Sequence, residues 1–99
     1  MRREEAEKYH GWTNYETWVV SLWNDNEESS YRYWREEARR HREDSDDQFD
    51  AIRSLAEQLK EEISDNAPVA PPSVYSDLLT AALSEVNWVE IAENLVGEV

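Results

Sequence analysis

The chain has no cysteine, only two glycines and three prolines in 99 residues. Without cysteine there is neither a disulfide framework nor a thiolate zinc site, and with redox chemistry silent a cytoplasmic setting is expected. With glycine only at positions 11 and 97, no glycine-rich loop can cradle a phosphate and no serine stands in a nucleophile elbow. Apolar runs are short, and none approaches the roughly 20 residues that a membrane span needs. The opening Met1-Arg2-Arg3-Glu4-Glu5-Ala6-Glu7-Lys8 has no apolar stretch behind it, so no secretory signal is expected. Positive charge is also scarce: the formal net charge is -13, and residues 66–99 hold five acids and no base. Such a surface repels polyanions, which argues against direct contact with bare nucleic acid or an anionic membrane.

The groups that carry common chemistries are missing or scattered. His10 and His41 lie far apart in sequence, neither with a second ligand at the three- or four-residue spacing of a zinc helix, so they read as isolated. The acidic string Asp44-Ser45-Asp46-Asp47 lacks the glycine and the bidentate glutamate of a calcium loop, Phe49 and Leu55 standing in those places. No metal and no cofactor are expected. A nucleophile needs a base in reach, and none is indicated, so the chain reads as non-enzymatic.

What is present is an aromatic segment. Of eleven aromatic residues, eight (Tyr9, Trp12, Tyr15, Trp18, Trp23, Tyr31, Tyr33 and Trp34) fall between positions 9 and 34. Within it, Thr13 and Glu16 have the spacing of a capping box, which predicts a helix over about residues 14–25 with Tyr15, Trp18, Val19, Leu22 and Trp23 on one face. Asn24-Asp25-Asn26 reads as its stop. Ser29 or Asn26 can cap a second helix with apolar contacts at Tyr31, Trp34 and Ala38, and ion pairs are expected for Glu28/Arg32, Arg32/Glu36 and Glu36/Arg40. Ser45 and Gln48 repeat the box spacing before the stripe Phe49, Ile52, Leu55, Ala56, Leu59 and Ile63, predicting a third helix over about 46–64.

The prolines at 68, 71 and 72 make residues 66–72 a non-helical connection. Ser73 then caps a helix bearing Val74, Tyr75, Leu78, Leu79, Ala82 and Leu83, and Asn87 with Glu90 opens another bearing Trp88, Ile91, Ala92, Leu95 and Val96, the two joined near Glu85. No strand-type alternation occurs. The expected fold is all-α, a compact bundle of four to five helices in one domain over residues 11–99, after a charged segment at 1–10 in which Glu4/Lys8 hints at helix.

The aromatics have two uses. Trp18, Trp23 and Trp34 are expected in the core, where aromatics at helical spacing in a small domain usually sit. Trp12 is either a hydrophobic staple at the first helix turn or part of a binding surface, with Asn14 and Thr17 exposed or locally hydrogen-bonded. The acids likewise read either as a solvated face or as an imitation of duplex DNA. Over residues 24–65 they are interleaved with Arg32, Arg35, Arg39, Arg40, Arg42, Arg53 and Lys60, the pattern of an ion-paired solvated surface. The candidate binding residues are therefore Trp12, Asn14, Tyr15 and Thr17 on the aromatic segment, and Asp77, Glu85, Glu90 and Glu93 in the unopposed acidic third.

Gly11-Trp12-Thr13-Asn14-Tyr15-Glu16-Thr17-Trp18, then Leu22-Trp23-Asn24-Asp25-Asn26, and later Tyr75-Ser76-Asp77-Leu78-Leu79 and Val86-Asn87-Trp88-Val89-Glu90-Ile91-Ala92, resemble a family of small uncharacterised proteins of phages, plasmids and bacteria. The resemblance runs over most of the chain from residue 10. It implies a cytoplasmic protein of mobile-element type and transfers no catalytic residue. The expected function is a small acidic protein-binding or regulatory module with a protein partner. The alternatives are a structural protein that acts as a homo-oligomer, and an inhibitor that mimics nucleic acid.

Overall fold

Of the five helices among the described residues, three bury most of the stripe that their sequence spacing places on one face, and those three make the core; Tyr31, expected as an apolar contact of the second helix, is instead 44% exposed. The structure, a computed structural model, describes residues 8–99; the segment 1–7, with the Glu4/Lys8 pairing, lies outside the described residues. The helices are α1 (Tyr15–Asn26), α2 (Glu28–Asp44), α3 (Gln48–Asp65), α4 (Val74–Ser84) and α5 (Trp88–Glu98). Among the described residues there is no sheet, and the one extended pairing is an isolated bridge between Tyr9 and Trp12.

The core forms where α3 lies against α5, with α2 packed on both and α1 on α2 and α5. Ala51, Leu55, Ala56 and Leu59 of α3 and Ile91, Ala92, Leu95 and Val96 of α5 are buried, joined by Trp34 and Ala38 of α2 and by Val86. Burying each leucine or isoleucine here is worth about 1.5–3 kcal/mol, while alanines 38, 51 and 92, all fully buried, let the helix backbones approach closely. Phe49, placed on the α3 stripe by its spacing, is 80% exposed in the first turn of the helix.

Caps set the helix ends, and several differ from those read in the sequence. Asp47, not Ser45, caps α3 by accepting from the Asp50 amide. Glu27, not Ser29 or Asn26, caps α2, taking the Ser30 amide and the Ser29 hydroxyl; that hydroxyl bond, followed by the amide, holds its carboxyl below the usual range. Ser73 caps α4 in a reciprocal box with Ser76, and Asn87 caps α5 through the Glu90 amide. Arg32 pairs with Glu28 as expected, but Arg40 turns to Glu37 and Asp44 rather than to Glu36.

Two polar clusters tie the elements together. Arg35, only 8% exposed, reaches Asp25 at the end of α1 and Glu98 on α5, and its guanidinium lies 3.7 Å over the Tyr31 ring. Burial works against its charge, and the bonds to Glu98 and Asp25 outweigh it, so its pKa rises. Between α2 and α3, Arg40 and the Gln58 amide donate to Glu37, and the Tyr33 hydroxyl donates to Glu62. The Glu37 carboxyl is thereby held low, chiefly by Arg40, and the Tyr33 phenol is raised, chiefly by its bond to Glu62. His41 belongs to this cluster and is not isolated: Nε2 is 2.6 Å from the Gln58 amide oxygen and Nδ1 is 2.7 Å from Ser54 Oγ.

An inverted helix as the candidate interaction surface

Helix α1 departs from the pattern of the core helices. Its large apolar residues at 15, 18, 19, 22 and 23 share one face, which lies away from the core with Tyr15 and Trp23 exposed and Trp18, Val19 and Leu22 half-buried, while Val20 alone packs against the core. Trp23 is 67% exposed and Tyr15 53% exposed, whereas the buried residues of the helix are Thr17, Ser21 and Asn24. The core placement expected for the three tryptophans therefore holds for Trp34 alone; Trp23 points into solvent and Trp18 lies half-buried in an outer cluster.

The cause is a polar clasp at the start of α1. Asn14, rather than Thr13, is the N-cap: its Oδ1 accepts from the Thr17 amide at 2.9 Å and from the Thr17 hydroxyl at 2.6 Å. Its Nδ2 donates to the carbonyl of Glu85 at 2.6 Å, at the junction of α4 and α5. Thr17 Oγ1 in turn accepts from the Asn87 amide at 2.8 Å. Thr13 is freed for a different task, its amide donating to Glu90 Oε1 and its hydroxyl accepting from Asn87 Nδ2.

The clasp fixes the rotation of α1 by geometry: turning the aromatic face inward would carry Asn14 and Thr17 away from the Glu85 carbonyl and the Asn87 amide and break both bonds. At the α4–α5 junction the surface that receives the first turn of α1 offers a backbone amide and a carbonyl, and the polar side chains of Asn14 and Thr17 meet them. Further along the helix, Ser21 Oγ and Asn24 Nδ2 make no hydrogen bond to the protein and line a cleft of about 20 Å³ beside Trp12, Ile91 and Leu95, room for about one water.

The outward face is built into a cluster by the turn before the helix. His10 (φ 50) and Gly11 (φ 88) both lie in the left-handed region, where glycine is at ease and histidine is not. Tyr9 and Trp12 exchange both backbone hydrogen bonds across this turn, at 2.7 and 2.8 Å. The chain is thereby folded back, so that the Tyr9 ring stands edge-on to Tyr15 at 5.2 Å and 5.0 Å from Trp18, with His10 4.7 Å from Trp18. Such edge and tilted pairs are worth about 0.5–1.5 kcal/mol each, and here they hold large rings in fixed positions at the surface.

The structure separates the candidate residues into distinct settings. Tyr15 joins the exposed cluster, while Trp12 is half-buried and packs against the core beside Ile91. Thr17 is fully buried, so any part it plays in binding is through the orientation it gives α1, and Asn14, as cap and clasp, acts in the same way. Glu85 enters the clasp through its backbone carbonyl and Glu90 through its carboxylate. Asp77 and Glu93 are exposed on α4 and α5, apart from the aromatic cluster. Tyr9, His10 and Trp23 were not among the candidates. The adjacent His10-Gly11 pair is the signal that points to Tyr9 and His10, since a two-residue turn ending in glycine returns the chain on itself; no local signal points to Trp23.

Among the described residues, no group of three or more His, Asp or Glu side chains is gathered closely enough to hold a metal ion, and no helix is long and apolar enough to cross a membrane. Ser54 and His41 stand within hydrogen-bond reach, but Ser54 also bonds the Ala51 carbonyl and both lie on regular helix, so the pair fastens α2 to α3. No curated protein and no solved structure matches the chain. Over residues 5–94 it matches a family of unknown function, DUF7249, and the chain belongs to that family.

Proposed function

We propose that this protein is a non-enzymatic binding module, cytoplasmic and of mobile-element type, that engages a protein partner through the outward aromatic face of α1. The observation that carries this reading is the inversion of that helix: Tyr9, Tyr15 and Trp23 are exposed while polar side chains of α1 are buried beneath them. Scattered exposed apolar residues need no explanation, but the rings of Tyr9, His10, Tyr15 and Trp18 touch one another in a contiguous patch, and such a patch on a small protein is a mark of an interaction site. Tyrosine and tryptophan supply rigid contact area at low entropic cost and dominate interface hot spots. The clasp pre-orients them, so little ordering cost falls on binding.

The acids support imitation of nucleic acid less well. Glu90 and Glu98 are engaged within the protein, by the Thr13 amide and by Arg35, which breaks the unopposed acidic run of the last third. The test is a pull-down from native lysate with the wild type and a Tyr15→Ala, Trp18→Ala variant, at low and high salt. The expected result is one enriched partner, retained at high salt and lost in the variant. Capture that is unchanged in the variant, or a basic partner that dissociates in salt regardless of the aromatics, would move the function to the acids.

A further inference from the structure

Helix α4 presents a second open face, on different residues from the aromatic cluster. Its sequence is apolar over most of its circumference, and a helix of that kind is ordinarily covered on more than one side. Leu83 packs against the core and Leu79 and Ala82 are half-buried, whereas Val74, Tyr75 and Leu78 on the other side are 64%, 70% and 63% exposed. No residue of α4 is fully buried. Val74, Leu78 and Ala81 follow at intervals of four and three residues, a ridge of the shape that packs into the groove of a second helix. The underside is loosely seated as well, over a groove of about 440 Å³ whose walls include Lys60, Val69, Leu79 and Trp88.

Charge identifies the occupant. Beyond Lys60 the chain has eight acids and no base, and Asp77 and Glu85, both exposed, flank the ridge. A second copy of this chain would bring its own -13 charge against them, which self-repulsion opposes. We propose that the Val74–Tyr75–Leu78–Ala81 ridge of α4 docks an amphipathic helix of a partner protein whose apolar face is bordered by lysine or arginine. The apolar ridge supplies the contact, and Asp77 and Glu85 supply the rim that orients it. This site does not depend on the aromatic face of α1.

The test uses the full chain and three synthetic peptides of equal length: a Leu/Lys amphipathic helix, its Leu/Glu counterpart, and a scrambled Leu/Lys peptide of identical charge whose leucines share no face. Binding is read by backbone amide NMR at physiological salt. The expected result is binding of the amphipathic Leu/Lys helix alone, with shifts centred on residues 74–82. A Tyr75→Ser, Leu78→Ser variant should bind it at least about tenfold more weakly, with the spectrum elsewhere unchanged because both side chains are exposed. Asp77→Asn with Glu85→Gln should weaken it less and flatten its salt dependence. The Tyr15→Ala, Trp18→Ala variant should bind the peptide as the wild type does, so that failure of the aromatic-face reading and of this one are told apart. Equal binding of the scrambled peptide, shifts centred on α1, or a concentration-dependent dimer abolished by Leu78→Ser would each overturn the proposal.

Discussion

Helices α1 and α3 both carry an apolar stripe at helical spacing, and they use it in opposite ways. In α3, Leu55 and Leu59 are fully buried against α5 and the charged residues face solvent. In α1, Thr17, Ser21 and Asn24 are buried and Trp23 stands in water. Periodicity therefore locates a face without saying which way it points. The direction is set by what the receiving surface offers: α5 offers α3 a row of aliphatic side chains, whereas the α4–α5 junction offers α1 a backbone amide and a carbonyl that demand partners.

That comparison can be broken most severely in α3. Leu59→Ala removes a fully buried side chain and should cost about 2–5 kcal/mol in denaturant unfolding. A loss below about 1 kcal/mol would mean that the α3–α5 contact is not the main support of the fold. The next largest effect belongs to the inversion itself. Thr17→Val keeps the shape of a fully buried side chain but leaves the Asn87 amide unpaired, at about 1–3 kcal/mol, whereas Thr17→Ser should lose less. If valine is tolerated as well as serine, the hydroxyl does not orient α1.

Asn14→Ala removes the cap of α1 and its bond to the Glu85 carbonyl, a loss of about 1 kcal/mol or somewhat more; Asn14→Asp, which keeps the cap oxygen and loses the donor, should fall between. A pH titration separates the two regions again. Glu37, between α2 and α3, has its folded pKa lowered by Arg40 and then by Gln58, so its contribution is present above the unfolded carboxylate value of about 4.3 and is lost as pH falls through the folded value. Glu37→Gln should flatten the acid limb of stability against pH; an unchanged limb would show that the α2–α3 cluster does not contribute there. Smallest of all, Trp23→Ser should alter stability by no more than about 0.5 kcal/mol, despite removing a tryptophan, because that side chain is 67% exposed.

Much of the architecture is legible in the sequence. The α3 stripe from Ile52 to Ile63, the Ser73 and Asn87 caps and the proline break at 68–72 each rest on local physics, and the structure places helices and connection accordingly. The surface was harder to read because its determinants are non-local. Asn14 and Thr17 meet Glu85 and Asn87 across 71 and 70 residues, and no spacing rule in the N-terminal segment announces that meeting. Thr13 and Glu16 offered a good capping box, but Thr13 is drawn off to Glu90 and Asn87, and the cap passes to the next residue. His41 looked isolated for the same reason, its partners Ser54 and Gln58 arriving on the following helix.

The central claim is that α1 holds its aromatic face outward, and the most direct measurement is fluorine NMR of the protein labelled with fluorotryptophan, each resonance assigned by single substitution. The solvent isotope shift on passing from light to heavy water should be large for Trp23, intermediate for Trp18 and Trp12, and close to absent for Trp34, in the order of their exposure. A Trp23 resonance as insensitive to solvent as that of Trp34, in the monomer, would show that α1 packs its aromatic face into the core, and the binding surface proposed on it would fall with that result.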